Sequence, residues 1–237
     1  MRRKAPDAAQ TTLNGFMPRV EQATAVLERT AAAEPRSIED FIAQPNPGLA
    51  AQVGERIGAI WDKIYPNAKI REFTDIVLAV IERREDDYMA LIEGVHLERL
   101  QGYSQMLGEL IGFFMYGNYG DPLGEFYMSR ISYGKGGEYF TPFNVAYMMA
   151  KILNPKPGDV TLDPCCGTGV MLIASRCVIH QKHGWVEASQ YGRNLYGIDI
   201  NADIVGLAKV NMYLTDYVLM MVLLTDHAFK FMNKDAQ

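Results

Sequence analysis

The sequence predicts an α/β fold, a doubly wound parallel sheet set behind a helical first half. Two observations predict the sheet and a third the helices. After residue 159, short apolar runs alternate with helical patterns, in the order VTLD, GVMLIASRCVIHQKHG, LYGIDI, NADIVGLAKVNMYL and YVLMMVLL. Strand–helix–strand–helix–strand at this spacing makes parallel strands joined by crossover helices. The first run ends in an acid and a proline, then spends two glycines within three residues before the next helix (DPCCGTG, Asp163 to Gly169). Such a break lets backbone approach a ligand. Before residue 134 the apolar spacing is helical, with no defensible strand.

Taken in order, residues 1–14 read as a disordered arm. The start, MRRKAPDAAQ, has charge but no apolar core behind it, so it is not a secretory signal. A basic arm lying on DNA is the competing reading. Phe16, Val20, Ala23, Val26 and Leu27 give residues 15–33 a loose helical stripe, which Pro35 ends. SIED at 37–40 fits a helix start, with Ser37 as cap and Asp40 in the capping-box position. QPNPG at 44–48 is a break, followed by helical patterns at 49–64, 70–84 and 88–115. The last carries Gly94, Gly102, Gly108 and Gly112, which permit close helix contacts and weaken the helix. YGNYGDP at 116–122 is turn-rich. GKGGEYFTP at 134–142 is a glycine-rich loop leading into an amphipathic helix at 143–153. After the turn NPKPGD come the strand at 160–163, a helix closed by Gly184, and a strand at 195–200. A helix capped by Asn201 and an apolar run at 217–224 complete the pattern; the run suits a buried strand, although periodicity leaves a helix open. The domains are then the arm (1–14), a helical N-terminal domain (15–133) and an α/β domain (134–237).

Composition sets outer bounds. With 49% apolar and 22% charged residues, the chain can bury an ordinary core. A formal net charge of -5 argues against holding nucleic acid unaided through a basic face. Three cysteines, two of them adjacent, build neither a disulfide framework nor a zinc site, so a reducing, cytoplasmic setting fits. No apolar run approaches the ~18 residues needed to span a bilayer.

The chemistry gathers at the glycine loop. In a doubly wound sheet the ligand lies beyond the carboxyl ends of the strands, beside the first loop. Gly167 and Gly169 let the chain turn and present backbone amides. Asp163 can orient the loop or contact an amine or hydroxyl, and Asp199, ending the second strand, stands where an acid accepts from ribose hydroxyls. An adenosine-bearing cofactor follows. A nicotinamide fingerprint would need a third glycine where Leu172 stands, and no triphosphate-binding loop is present. A turn with no ligand explains the two glycines alone; Asp199 on the next strand tips the balance toward a site.

DPCCGTG, preceded by GEYFTP at 137–142, resembles the adenine-specific (N6) DNA methyltransferases, above all the modification subunit of type I restriction–modification systems. The segment from Asp121 to Pro142 also looks like the approach to that family's F-T-P. The resemblance implies a partial Rossmann-like core that binds S-adenosylmethionine behind an N-terminal helical domain. Its implied cofactor residues are Phe140, Thr141, Pro142, Asp163, Cys165, Gly167, Thr168, Gly169, Asp199 and Ile200, with Asp199 on the ribose. Asp226 stands where the family has an acid near the adenine; a surface acid after a strand is the alternative.

Methyl transfer to an exocyclic amine requires the amine to be held in line with the sulfonium methyl and the base to be flipped into a pocket. The family does this with an (Asn/Asp)-Pro-Pro-(Tyr/Phe) loop after its fourth strand. This sequence contains no Pro-Pro; NPKP at 154–157 lacks the aromatic and precedes the first strand. No catalytic residue is assigned, the sheet is expected to end at its third strand, and the isolated chain is expected to show no methyl transfer. An edge left open at 217–224 implies a partner chain or self-association through that C-terminal strand region. DNA would be reached through a complex. The function implied is DNA adenine methylation, with this chain supplying the cofactor half of the site. The rival is a catalytically inactive interaction or regulatory protein that pairs with a modification or specificity subunit.

Other residues are less informative. His180 and His183 suit the negative end of a helix dipole better than a metal, and no metal site is assigned. Cys165 and Cys166 read as small loop-packing residues. Tyr127, Met128, Tyr147, Met148 and Met149 fit either a base pocket or core packing.

Overall fold

The computed structural model describes residues 43–115, 117–132 and 140–216. The arm, the 15–33 helix, the Ser37 cap, the glycine-rich loop up to residue 139, the 217–224 run and Asp226 lie outside the described residues.

The first helix, α1 (Pro47–Ile64), starts where Asn46 accepts from the Leu49 amide at 3.1 Å and Pro47 presets the first turn. Its buried positions, Ala50, Val53, Gly54, Ile57, Gly58, Trp61 and Ile64, repeat every three or four residues and form one stripe. Helices α2 (Ile70–Ile81), α3 (Glu85–Ile92) and α4 (Leu97–Phe114) follow. The single helix expected over 88–115 is therefore two. The chain leaves helical geometry at Glu93, and Gly94 takes a φ of 77°, which a side-chain-bearing residue avoids. Of the glycines expected to permit close contacts, Gly102 does so against Ile64; around Gly108 and Gly112 there is open space.

Helix α5 (Pro122–Arg130) has no counterpart in the sequence reading. Asp121 caps it by accepting from the Gly124 amide at 2.7 Å, and Pro122 occupies its first turn. It lies against α1 at a separation set by two glycines: a Cβ on Gly54 would come 2.7 Å from the Cβ of Glu125, and one on Gly58 would come 2.9 Å from Arg130 Nε. Two short strands also correct the expectation of none in this half. β1 (Gln44–Pro45) and β2 (Asn118–Tyr119) pair in parallel, Gln44 opposite Asn118, inside the two stretches read as breaks.

The second half contains α6 (Phe143–Leu153), β3 (Thr161–Asp163), α7 (Val170–His183), α8 (Trp185–Gly192), β4 (Leu195–Gly197) and α9, helical over 202–216. β3 and β4 are parallel, with Thr161 opposite Leu195 and Asp163 opposite Gly197, so β3–α7–β4 is a crossover unit. Helix α8 was not expected; Gly184, at a φ of 90°, closes α7 and opens it.

Helix α7 is the hub, buried at ten of its fourteen positions, which is why its sequence reads as a run and not a stripe. Arg176 on it is 1% exposed, yet its Nε donates to the Ala188 carbonyl (3.1 Å) and its Nη2 to Asp216 (2.6 Å), the partners a buried charge requires. The Tyr119 hydroxyl meets His180 Nδ1 at 3.0 Å, and Gln181 donates to the Ala43 carbonyl at 2.9 Å, fastening the β1–β2 pair to α7.

The described residues are thus mostly helical, with small parallel sheets, in the manner of an α/β protein. One apolar core runs from α1–α5 into α9 through Ile204, Leu207, Val210 and Leu214; a second joins α6 and α7 to Ala43 and Tyr119. One face of β3–β4 lies under the loop and α7, where a Cβ on Gly197 would come 2.8 Å from Cys166 Sγ. On the other face the register partners Leu162 and Tyr196 are 57% and 55% exposed.

Candidate cofactor site

The loop from β3 to α7 turns on two left-handed residues, Gly167 at a φ of 52° and Gly169 at 88°. A Cβ is strained at both, so the paired glycines are dictated by backbone geometry. Asp163 accepts from the Cys165 amide at 3.1 Å, and the Gly169 amide returns to the Cys166 carbonyl at 2.8 Å. Asp163, the last residue of β3, thereby fastens the start of the loop.

Asp199, just past the end of β4, reaches the same loop. Its Oδ2 accepts from the Gly167 amide at 3.0 Å and its Oδ1 from the Asn201 amide at 2.9 Å. The ladder extends beyond β4, with Ile198 donating to Asp163 and Cys166 donating to Ile198, each at 2.9 Å. Each carboxylate oxygen retains a further acceptor site, so the two backbone bonds leave capacity for hydroxyl donors.

Phe140 lies across the loop. Its ring edge is 3.3 Å from where a Gly167 Cβ would sit, and it stands edge-on to Tyr127 with centroids 5.7 Å apart. Pro142 begins α6, its carbonyl accepting from Val145 and Ala146; Thr141 beside it is half-buried. Cys165 is exposed, and Ile200 projects fully into solvent just beyond Asp199. The structure thus gathers Phe140, Asp163, Gly167, Gly169 and Asp199 around one turn, with Cys165 and Ile200 open beside it.

Thr168 departs from that pattern. It is fully buried, and its hydroxyl donates to the Asp121 carboxylate. Asn211 on α9 donates to Asp121 at 2.8 Å and to the Thr168 carbonyl at 3.1 Å. Burial pushes the Asp121 carboxyl up to about 6, against the lowering effect of bonds from Thr168, Gly124 and Asn211. Asp121 and Asn211 are the two residues that sequence reasoning missed. Asp-Pro at a helix start was the available signal for the first; a mid-helix asparagine gave none for the second.

The remaining candidates resolve simply. Burial pushes the Cys166 thiol up to about 11, with Asp163 and Asp199 adding to the effect, the opposite of an activated nucleophile. His180 is buried against Tyr119, and no group of three or more metal-ligating side chains occurs among the described residues. Tyr127 is core and Tyr147 stacks on Phe143, whereas Met148 and Met149 are exposed. A concavity of about 380 Å³ bordered by Asp75, Arg84, Asp87, Ala90 and Leu91 belongs to α2 and α3 and takes no part in the site. No described helix is long and apolar enough to cross a membrane.

A crossover unit whose glycine loop is fastened to an acid just past the next strand marks the class: an α/β protein with a glycine loop beyond its strands. Known proteins narrow it. Residues 121–226 match the family of N-6 DNA methylases. A type II restriction enzyme and methyltransferase of Heyndrickxia coagulans is 35% identical over 101 residues, 40% of this chain and 16% of its own length. The methylase subunit of the type I restriction enzyme MjaVII of Methanocaldococcus jannaschii is 30% identical over 143 residues, 58% of this chain and 22% of its own. That of EcoEI from Escherichia coli is 33% identical over 72 residues, 29% and 14% respectively. The chain thus spans less than a quarter of each of these relatives. No solved structure matches it. The resemblance to N6-adenine DNA methyltransferases is thus supported over residues 121–226, the stretch that the family model matches.

Proposed function

We propose that the α/β half is the S-adenosylmethionine-binding half of a DNA adenine methyltransferase site, a partial Rossmann-like core (134–237) behind a helical domain (15–133). The observation that carries this reading is the Gly167 amide held by Asp199, which joins the glycine loop to the acid of the next strand. The residues fit the cofactor chemically. Gly167 and Gly169 put no side chain into the turn, Asp199 has acceptor capacity for ribose hydroxyls, and exposed Ile200 offers an apolar surface for a purine. Phe140 crosses the loop, Thr141 and Pro142 lead from it into α6, and Asp163, Cys165 and Thr168 complete the loop. The cofactor would supply an electrophilic methyl group; the chain's part is to hold and orient it.

A net charge of -5 supports DNA contact through a complex, with a partner chain supplying the phosphate contacts. The relatives named methylase subunits support such an assembly. Cys165, Cys166 and Cys177 are all free, in keeping with a reducing, cytoplasmic setting. Titrating S-adenosylmethionine into the chain by calorimetry tests the reading. Saturable binding that weakens roughly tenfold or more in Asp199→Ala, the equivalent of ~1.4 kcal/mol, is expected. Absence of binding at millimolar cofactor overturns it. The second reading, an inactive methyltransferase-fold protein that pairs with a modification or specificity subunit, would then lead. The bare face of Leu162 and Tyr196 favours it.

A further inference from the structure

We propose that Asp121 is a positioning residue for the cofactor loop, its buried carboxylate fixing Thr168 and tying the loop's geometry to α5 and α9. The functional consequence rests on the cofactor reading above; the latch itself is a property of the free protein.

Asp121 uses both oxygens. Oδ1 accepts from the Gly124 amide (2.7 Å) and from Asn211 Nδ2 (2.8 Å), while Oδ2 accepts from the Thr168 hydroxyl. Asn211 Nδ2 also donates to the Thr168 carbonyl at 3.1 Å. One loop residue is therefore gripped by its hydroxyl and its carbonyl, from elements far away in sequence. The Asn211 orientation follows from this. Its Nδ2 faces a carboxylate and a carbonyl, both acceptors, and its Oδ1 is left buried with no hydrogen-bond partner. Turning the amide over would set oxygen against oxygen. Gly124 makes room for the latch, since a Cβ there would fall 2.1 Å from Asp121 Oδ2.

Thr168 stands between two left-handed glycines, residues with more backbone freedom than any other. A ligand that must order such a loop binds more weakly than one that finds it set. Fixing the residue between the glycines removes that penalty before the cofactor arrives. Because α5 packs on α1 and α9 belongs to the helical core, the loop's order also depends on the helical layer.

The test is amide hydrogen exchange of the 166–171 segment in the free protein, alongside calorimetry with S-adenosylmethionine, for wild type, Thr168→Val, Thr168→Ser and Asp121→Asn. Thr168→Val keeps the Asp121 cap on α5. It is expected to speed exchange at the loop roughly tenfold, leave α1–α4 unchanged, and weaken cofactor binding several-fold. Thr168→Ser, which keeps the hydroxyl, is expected to restore both. Asp121→Asn should act in the same direction as Thr168→Val. Unchanged loop exchange in both Thr168→Val and Asp121→Asn overturns the proposal, as does a serine variant that behaves like valine. A wild type that binds no cofactor removes the functional reading, while the exchange measurements still decide the latch.

Discussion

Along α1, α2 and α4 the apolar stripes face inward and pack on one another around Ile57, Phe73, Met106 and Leu110, all essentially inaccessible. Along α6, α7, β3 and β4 the inner face is equally tight at Ala146 and Ile173, but Met148, Ile152, Leu162 and Tyr196, with Ile198 just past β4, turn outward. The helical half buries its apolar stripes, with α9 laid into the same core. The α/β half does so on one side only, and much of what fixes it is polar: Arg176 on Asp216, Asp199 on Gly167, Asp121 on Thr168 and Tyr119 on His180. The two halves should therefore fail differently when changed. Losses in the helical layer are losses of packing, and losses around the loop are losses of geometry.

The largest expected effect is in the helical core. Phe73→Ala removes a fully buried ring and should cost about 3–5 kcal/mol of unfolding free energy, read by denaturant titration. A loss below ~1 kcal/mol would mean that the helical core is not close-packed. Next comes acid dependence. The Asp121 carboxyl is raised from 3.8 to about 6 by burial, so between those pH values the folded state holds a proton that the unfolded state has lost. Its contribution is fully present below the lower value and is lost as pH rises through about 6. The loss is on the order of 1–3 kcal/mol, and comparing denaturation of wild type and Asp121→Asn at either end of that window isolates it. Gly169→Ala should be milder, about 1–2 kcal/mol, because it places a Cβ in the left-handed region at the start of α7. Cofactor binding should fall more than stability in that variant. The smallest effect is expected from Leu162→Ser with Tyr196→Ser, within about 0.5 kcal/mol in the isolated chain. A larger loss there would show that this face is covered after all, and the contrast between the halves would fall.

The same contrast governs what could be read in advance. Helices α6 and α7, the Gly184 stop, the first strand and the Asn201 cap follow from local sequence and appear where spacing and capping put them. The glycine loop was legible because two left-handed turns leave few alternatives to glycine. Strands β1 and β2 are two residues long and too short to leave a periodic signal. Helices α5 and α8, of nine and eight residues, begin at Pro122 and Trp185 beside stretches that read as turns. The break at Gly94 hides inside a stripe that continues on both sides. Asp121 and Asn211 were illegible for another reason: each has its meaning through Thr168, 47 and 43 residues away, and no local rule links them.

The measurement closest to the central claim is photochemical cross-linking of radiolabelled S-adenosylmethionine to the folded chain, with the labelled peptide mapped by mass spectrometry. Label confined to peptides containing Phe140–Pro142, Asp163–Gly169 or Asp199–Ile200, and competed away by unlabelled S-adenosylhomocysteine, is the predicted result. Label concentrated instead on α2 and α3, around Asp75, Arg84 and Asp87, would contradict it and move the ligand to the half that this account assigns to packing alone.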